Sequence, residues 1–103
     1  MAYCSIVEHI VSYDSLQKVF NMNHEFENFV VLVTGSFRGN GKAILHKFLD
    51  SGAIVYGIDK NYKKNKSFEN LNEIKADLSN KQELNRIFNH IKKKEKKLDI
   101  LIN

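Results

Sequence analysis

The stretch Val31-Leu-Val-Thr-Gly-Ser-Phe-Arg-Gly-Asn-Gly-Lys-Ala-Ile44 constrains this chain more than any other feature. An apolar, β-branched run enters three glycines, at 35, 39 and 41, and leaves as a helical pattern. A strand, a glycine turn and a helix N-terminus in succession present amide N–H groups to an anion, so the loop suits phosphate. Two phosphates are candidates: the triphosphate of ATP or GTP, and the pyrophosphate of a dinucleotide.

A triphosphate loop needs Gly, four residues, then Gly-Lys-Ser/Thr. Gly41-Lys42 fits its end, but Gly35 stands one position early and Ala43 offers no hydroxyl to a magnesium ion. In a dinucleotide loop the three glycines divide the work. One permits the turn off the strand, one lets the backbone approach the pyrophosphate, and one allows close helix packing. Asp59, eighteen residues after Gly41, ends the next apolar run, where a carboxylate can accept hydrogen bonds from an adenosine ribose. The dinucleotide is the better match.

The rest of the chain supplies a matching rhythm. Phe29–Val33 reads as a strand buried on both faces. From Gly41 a helix follows, with Ile44, Leu45, Phe48 and Leu49 on one face and Gly52 closing it. A second strand spans Ala53–Ile58, and a lysine-rich connection follows with a helical turn expected at Ser67–Leu71. Glu73–Asp77 reads as a third strand. Ser79-Asn-Lys-Gln82 fits a capping box, opening a helix with Leu84, Ile87, Phe88 and Ile91 at helical spacing. Leu98–Ile102 is a fourth strand. The alternation predicts an α/β fold with a parallel sheet, right-handed crossovers and helices on both faces.

Residues 1–28 stand outside this rhythm. Ile6, Val7, Ile10 and Val11, then Leu16, Val19 and Phe20, suggest one or two short amphipathic helices. The chain is therefore divided into an N-terminal extension, 1–28, and a partial nucleotide-binding domain, 29–103.

The residues resemble the short-chain dehydrogenase/reductase family. Thr34-Gly-Ser-Phe-Arg-Gly-Asn-Gly41 is similar to its TGxxxGxG loop, and Asp77-Leu78 to the Asp-hydrophobic pair that lines the adenine. Leu98-Asp-Ile-Leu-Ile-Asn103 resembles the strand leading into its Asn-Asn-Ala-Gly segment, cut after the first Asn. The resemblance implies an incomplete Rossmann-type sheet of about four strands in the order 3-2-1-4, the cofactor-binding half of an NAD(P)-dependent oxidoreductase. It implies cofactor contacts from Gly35, Ser36, Arg38, Gly39, Asn40, Gly41, Asp59, Lys60, Asp77, Leu78 and Asn103. Asp59 favours the 2′-hydroxyl of NAD and repels the 2′-phosphate of NADP, whereas Arg38 and Lys60 could approach that phosphate; NAD is the preferred cofactor. Two departures stand out: Asn40 replaces the family's usual Ile or Leu, and the connection after Asp59 is short.

The family's catalytic Ser and Tyr-x-x-x-Lys belong to a later segment. Tyr62-Lys-Lys-Asn-Lys66 matches the second pattern literally, but its place just after the second strand predicts an exposed lysine-rich loop. No catalytic residue is assigned, and the chain alone is expected to be inactive, as a piece of a longer enzyme would be. In the family the fourth strand is internal. Here its edge needs covering, by residues 1–28, by a second copy or partner chain, or by more of the same polypeptide. A stand-alone nucleotide-binding or interaction module is the alternative, and a P-loop phosphotransferase a weaker one.

Composition excludes several other classes. At 103 residues the chain can bury one small core, and no apolar run is long enough to span a bilayer. The first residues lack a basic stretch followed by a long apolar run, so no secretory signal is expected, and the lone Cys4 suits a reducing cytoplasm. Residues 1–28 carry four acids against Lys18, and the basic excess lies beyond them, densest in Lys92-Lys-Lys-Glu-Lys-Lys97. That run holds no arginine and no aromatic residue, so it reads as the solvated end of a helix rather than a nucleic-acid site.

Overall fold

The computed structural model describes residues 7–11, by their backbone, and residues 26–103. Among the described residues, six strands and two helices follow in the order β1 (Val7–Val11), β2 (Val30–Thr34), α1 (Gly39–Asp50), β3 (Ile54–Asp59), β4 (Lys66–Phe68), β5 (Leu71–Lys75), α2 (Lys81–Glu95) and β6 (Leu98–Ile102). They form one sheet, β1-β6-β2-β3-β5-β4, in which every pair is parallel except β4 with β5. The four central strands stand in the expected 3-2-1-4 order.

The pleat sends alternate side chains to opposite faces, and the sequence supplies apolar residues for both. Val31, Val33, Val55, Ile100 and Ile102 pack with Leu45 and Phe48 of α1 on one face. Val30, Leu32, Tyr56, Ile58 and Leu101 pack with Ile87, Phe88 and Ile91 of α2 on the other. With α1 on one face and α2 on the other, the described residues form three layers, and β2, buried along its whole length, is their centre.

Four local expectations change. The helical turn at Ser67–Leu71 is instead the tip of a β-hairpin: Ser67 pairs with Asn72 and its hydroxyl donates to the Asn72 side chain at 2.8 Å. This pairing starts β5 at Leu71, two residues before the strand expected at Glu73, and Leu71 reaches the α1-side core. Helix α2 is capped by Asn80, which accepts from the amides of Gln82 and Glu83, not by Ser79. Ser79 is engaged elsewhere, donating both its amide and its hydroxyl to Asp77. Helix α1 begins at Gly39 rather than Gly41.

A further change concerns the N-terminus. Residues 7–11, expected to be helical, are a strand whose register runs Val7 to Leu98 and Val11 to Ile102. Hydrogen bonding along β6 outweighs the helical spacing of the apolar residues, because an uncovered β6 edge would leave backbone groups unpaired. The helical reading of Leu16, Val19 and Phe20 lies outside the described residues. Phe26 closes the α1-side core, edge-on to Phe48 at 5.0 Å between ring centroids. The lysine run is a helix end: Lys92, Lys93 and Lys94 form the last turn of α2, and Lys96 its left-handed cap.

One buried charge joins β6 to β2. Asp99 accepts the Val30 amide at 2.8 Å and pairs with Lys97 at 2.9 Å. Asp99→Ala leaves that buried N–H without its acceptor and is expected to cost about 2 kcal/mol of folding stability. Urea unfolding measures it, and a loss below about 0.5 kcal/mol, the range of an ordinary surface substitution, would show that the carboxylate does not hold the two strands.

Candidate functional site

The glycine loop leaves β2 at its C-terminal end and enters α1. Gly35 and Gly39 both take left-handed backbone, φ 64° and 66°, which makes the path off the strand and into the helix. The amides of Gly35 and Ser36 both donate to the Ile58 carbonyl, at 2.9 and 3.4 Å, tying the first turn to β3. A Cβ on Gly41 would stand 2.0 Å from the Gly35 carbonyl oxygen, so the first turn of α1 lies directly on the loop.

The N-cap of α1, Arg38, is extended and makes no side-chain cap, and no acidic residue occupies the first turn. The positive end of the helix is thus uncompensated by its own sequence, the arrangement that attracts an anion. Asn40, on this first turn, is exposed, and nothing in the structure explains its departure from Ile or Leu.

Asp59 ends β3 beside the loop. Its two carboxylate oxygens accept one backbone N–H each, from Phe37 at 3.2 Å and from Asn61 at 2.9 Å, which leaves further lone pairs for a ligand. Next to it a pocket of about 240 Å³ is lined by Gly35, Asp59, Lys60, Ala76, Asp77 and Leu78. The Ser79 hydroxyl, then its amide, hold the Asp77 carboxyl below the usual carboxylate range, with Lys60 adding to this. The pocket therefore offers an apolar wall from Ala76 and Leu78 and a polar rim of two carboxylates and an ammonium group.

Five of the residues singled out in the sequence, Gly35, Asp59, Lys60, Asp77 and Leu78, line this one pocket. Arg38, Gly39 and Asn40 lie at the exposed start of α1. Ser36 is turned inward, 2% exposed. Asn103 lies past the end of β6, its side chain accepting from the Thr34 hydroxyl at 3.2 Å, outside the pocket lining.

Tyr62 corrects the expectation of an exposed loop residue. It is buried, and its hydroxyl shares a hydrogen bond of 2.7 Å with Ser36. Burial pushes this hydroxyl above its ordinary range; the Ser36 bond opposes, and the charges of Glu73 and Asp59 add to the rise. Gly57 also escaped notice: a Cβ there would lie 2.5 Å from Ser36 Oγ, so its bareness makes room for the loop. A glycine inside a strand signals such close approach, whereas nothing near Tyr62 in the sequence signals its burial. A larger cavity of about 560 Å³, between α2 and the β4–β5 hairpin, does not touch the glycine loop. Among the described residues no group of three or more His, Cys, Asp or Glu side chains could hold a metal ion, and no helix is long and apolar enough to cross a membrane.

The short chain dehydrogenase family model matches residues 29–103. No curated protein matches the chain. Among solved structures, a short chain dehydrogenase from Leptospira borgpetersenii serovar Hardjo-bovis with bound NAD+ is 30% identical, with a TM-score of 0.67 over 77% of this chain and 32% of that one. A ligand-free aldohexose dehydrogenase from Thermoplasma acidophilum is 26% identical, TM-score 0.65, covering 76% and 30%. A 4-hydroxyisoleucine dehydrogenase complexed with NADH is 27% identical, TM-score 0.61, covering 72% and 31%. The chain spans about a third of the length of these solved structures.

Proposed function

This chain belongs to the short chain dehydrogenase family, and from that premise we propose that residues 29–103 bind NAD(H) for an oxidoreductase of that type. The pyrophosphate would lie on the first turn of α1, the adenosine ribose at Asp59, and the adenine in the pocket against Ala76 and Leu78. The observation that carries this reading is the convergence of Gly35, Asp59, Lys60, Asp77 and Leu78 on one crevice beyond the carboxyl ends of β2, β3 and β5. The fit of the group rests on the uncapped, acid-free start of α1 and on the bare Gly41 that lets the loop lie on it. Bound NAD(H) supplies or accepts a hydride; the residues of this chain bind and orient it. Lone Cys4 accords with a reducing, cytoplasmic setting.

Calorimetric titration with NADH, NADPH and Mg-ATP tests the reading. NADH is expected to bind best and Mg-ATP not at all. Tight Mg-ATP binding without NADH binding would reverse it. The 103-residue chain is also expected to oxidise no NADH, whatever carbonyl compound is offered. Both Tyr-x-x-x-Lys matches, Tyr56 to Lys60 and Tyr62 to Lys66, place the tyrosine in the interior, where burial raises its hydroxyl pKa, the opposite of what an acid/base tyrosine needs. Measurable NADH oxidation by the pure chain would contradict this.

One observation favours a second reading, a nucleotide-binding module without hydride chemistry. β1 pairs along β6, so the strand from which a longer parallel sheet would continue is already covered. A Ser and a Tyr-x-x-x-Lys further along the same reading frame would decide for the oxidoreductase.

A further inference from the structure

Tyr62 has no part in the dinucleotide reading, yet its surroundings are the most tightly organised in the site. Residues 60–70 are exposed except for this one, which is 7% exposed. Asp59 turns it inward. The Asp59 carboxylate takes the Asn61 amide and its carbonyl takes the Tyr62 amide at 3.5 Å, bending the chain back beneath the glycine loop. There the hydroxyl meets Ser36, in the space left by Gly57. The ring stands edge-on to Phe37, with centroids 5.5 Å apart and planes at 80°. Phe37 in turn donates its amide to Asp59. Ser36 and Phe37 are thus gripped by Tyr62 at a hydroxyl and at a ring, and by Asp59 at the end of β3 at an amide.

These two residues lie between the glycine that leaves β2 and the glycine that starts α1. Their path sets how the first-turn amides of α1 face the Asp59 pocket. A loop with glycines at both ends loses much backbone freedom when ordered, and ordering it before the ligand arrives removes that cost from binding. Resting on the dinucleotide reading, we propose that Tyr62 is a positioning residue: through Ser36 and Phe37 it holds the glycine loop in the shape that receives the adenosine diphosphate part of NAD(H). A tyrosine hydroxyl is protonated at neutral pH, and burial moves its titration further away, so the latch is made under ordinary conditions.

Tyr62→Phe keeps the ring and removes only the hydroxyl; Ser36→Ala removes its partner. NADH and ADP-ribose are titrated by calorimetry into both single variants, the double variant and the unaltered protein. Hydrogen exchange is followed at the Ser36–Gly39 amides without ligand. Each single change should weaken both ligands about tenfold, the worth of one buried hydrogen bond, and the double change no further than either. Exchange should quicken about tenfold in parallel. A purely structural tyrosine would lower the melting temperature and leave the affinity of the folded protein unchanged, and that result overturns the proposal. So do penalties that simply add, because they deny the pairing. If the unaltered protein binds neither NADH nor ADP-ribose, the dinucleotide reading falls, and with it the ligand named here. Loop exchange then decides separately whether the latch holds the loop at all.

Discussion

Gly41→Ala lowers NADH affinity by more than about a hundredfold. The added methyl would lie 2.0 Å from the Gly35 carbonyl oxygen, 2.8 Å from its carbon and 3.2 Å from the Ser36 Cα, all of them backbone atoms. None can swing aside as a side-chain end could. The Gly35 amide is held by Ile58 and the loop beyond it by Tyr62 and Asp59, so the strain falls on the first turn of α1. Overpacking of this kind costs about 3 kcal/mol or more, which is over a hundredfold in affinity if the helix moves away from the anion. Lys42→Ala is the informative control, since a triphosphate loop would depend on that lysine and a dinucleotide loop would not. Calorimetry on both variants, beside thermal unfolding, reads the result. A Gly41→Ala protein that binds NADH within a few fold of the unaltered chain would show that the close contact is not part of the site.

Asp59→Asn shifts the preference between NADH and NADPH toward NADPH by about a hundredfold. The carboxylate already holds Phe37 and Asn61, so it is fixed before a ligand arrives, and its free lone pairs suit a ribose hydroxyl. Hydrogen bonds to a charged group are worth about 1.5 to 3 kcal/mol, and loss of the charge weakens NADH accordingly. A 2′-phosphate gains instead, because the repulsion disappears while Lys60 remains at the pocket rim and Arg38 at the exposed start of α1. The amide keeps the shape of the side chain, so the change isolates charge from packing. Parallel titrations with the two cofactors measure the ratio. An unchanged ratio would show that Asp59 does not face the 2′ position.

Which parts of this fold and site were legible in the sequence follows from how far apart the interacting residues lie. Strand β2 is apolar up to Thr34, and β6 is apolar except for Asp99, because both faces of each strand are covered. Asp59 and Asp77 were legible as well, since each ends or follows a strand at the carboxyl end of the sheet. The β4–β5 hairpin was not. Ser67 and Asn72 are ordinary loop residues until the pairing of β5 with β3 offers the second strand an edge. Val7 to Val11 misled for a similar reason: their spacing fits a helix, and only the open side of β6 makes extension the better use of their backbone.

The alternation of strands and helices, the glycine loop and the acidic residue that follows it can be read from the residues alone, because they depend on local conformational preference and hydrophobic period. The interior place of Tyr62, the room that Gly57 leaves for Ser36 and the N-terminal strand that closes the edge of β6 arise only in the folded chain. Each of those depends on a contact between residues distant in the chain, and such a contact leaves no period or propensity in the sequence to read.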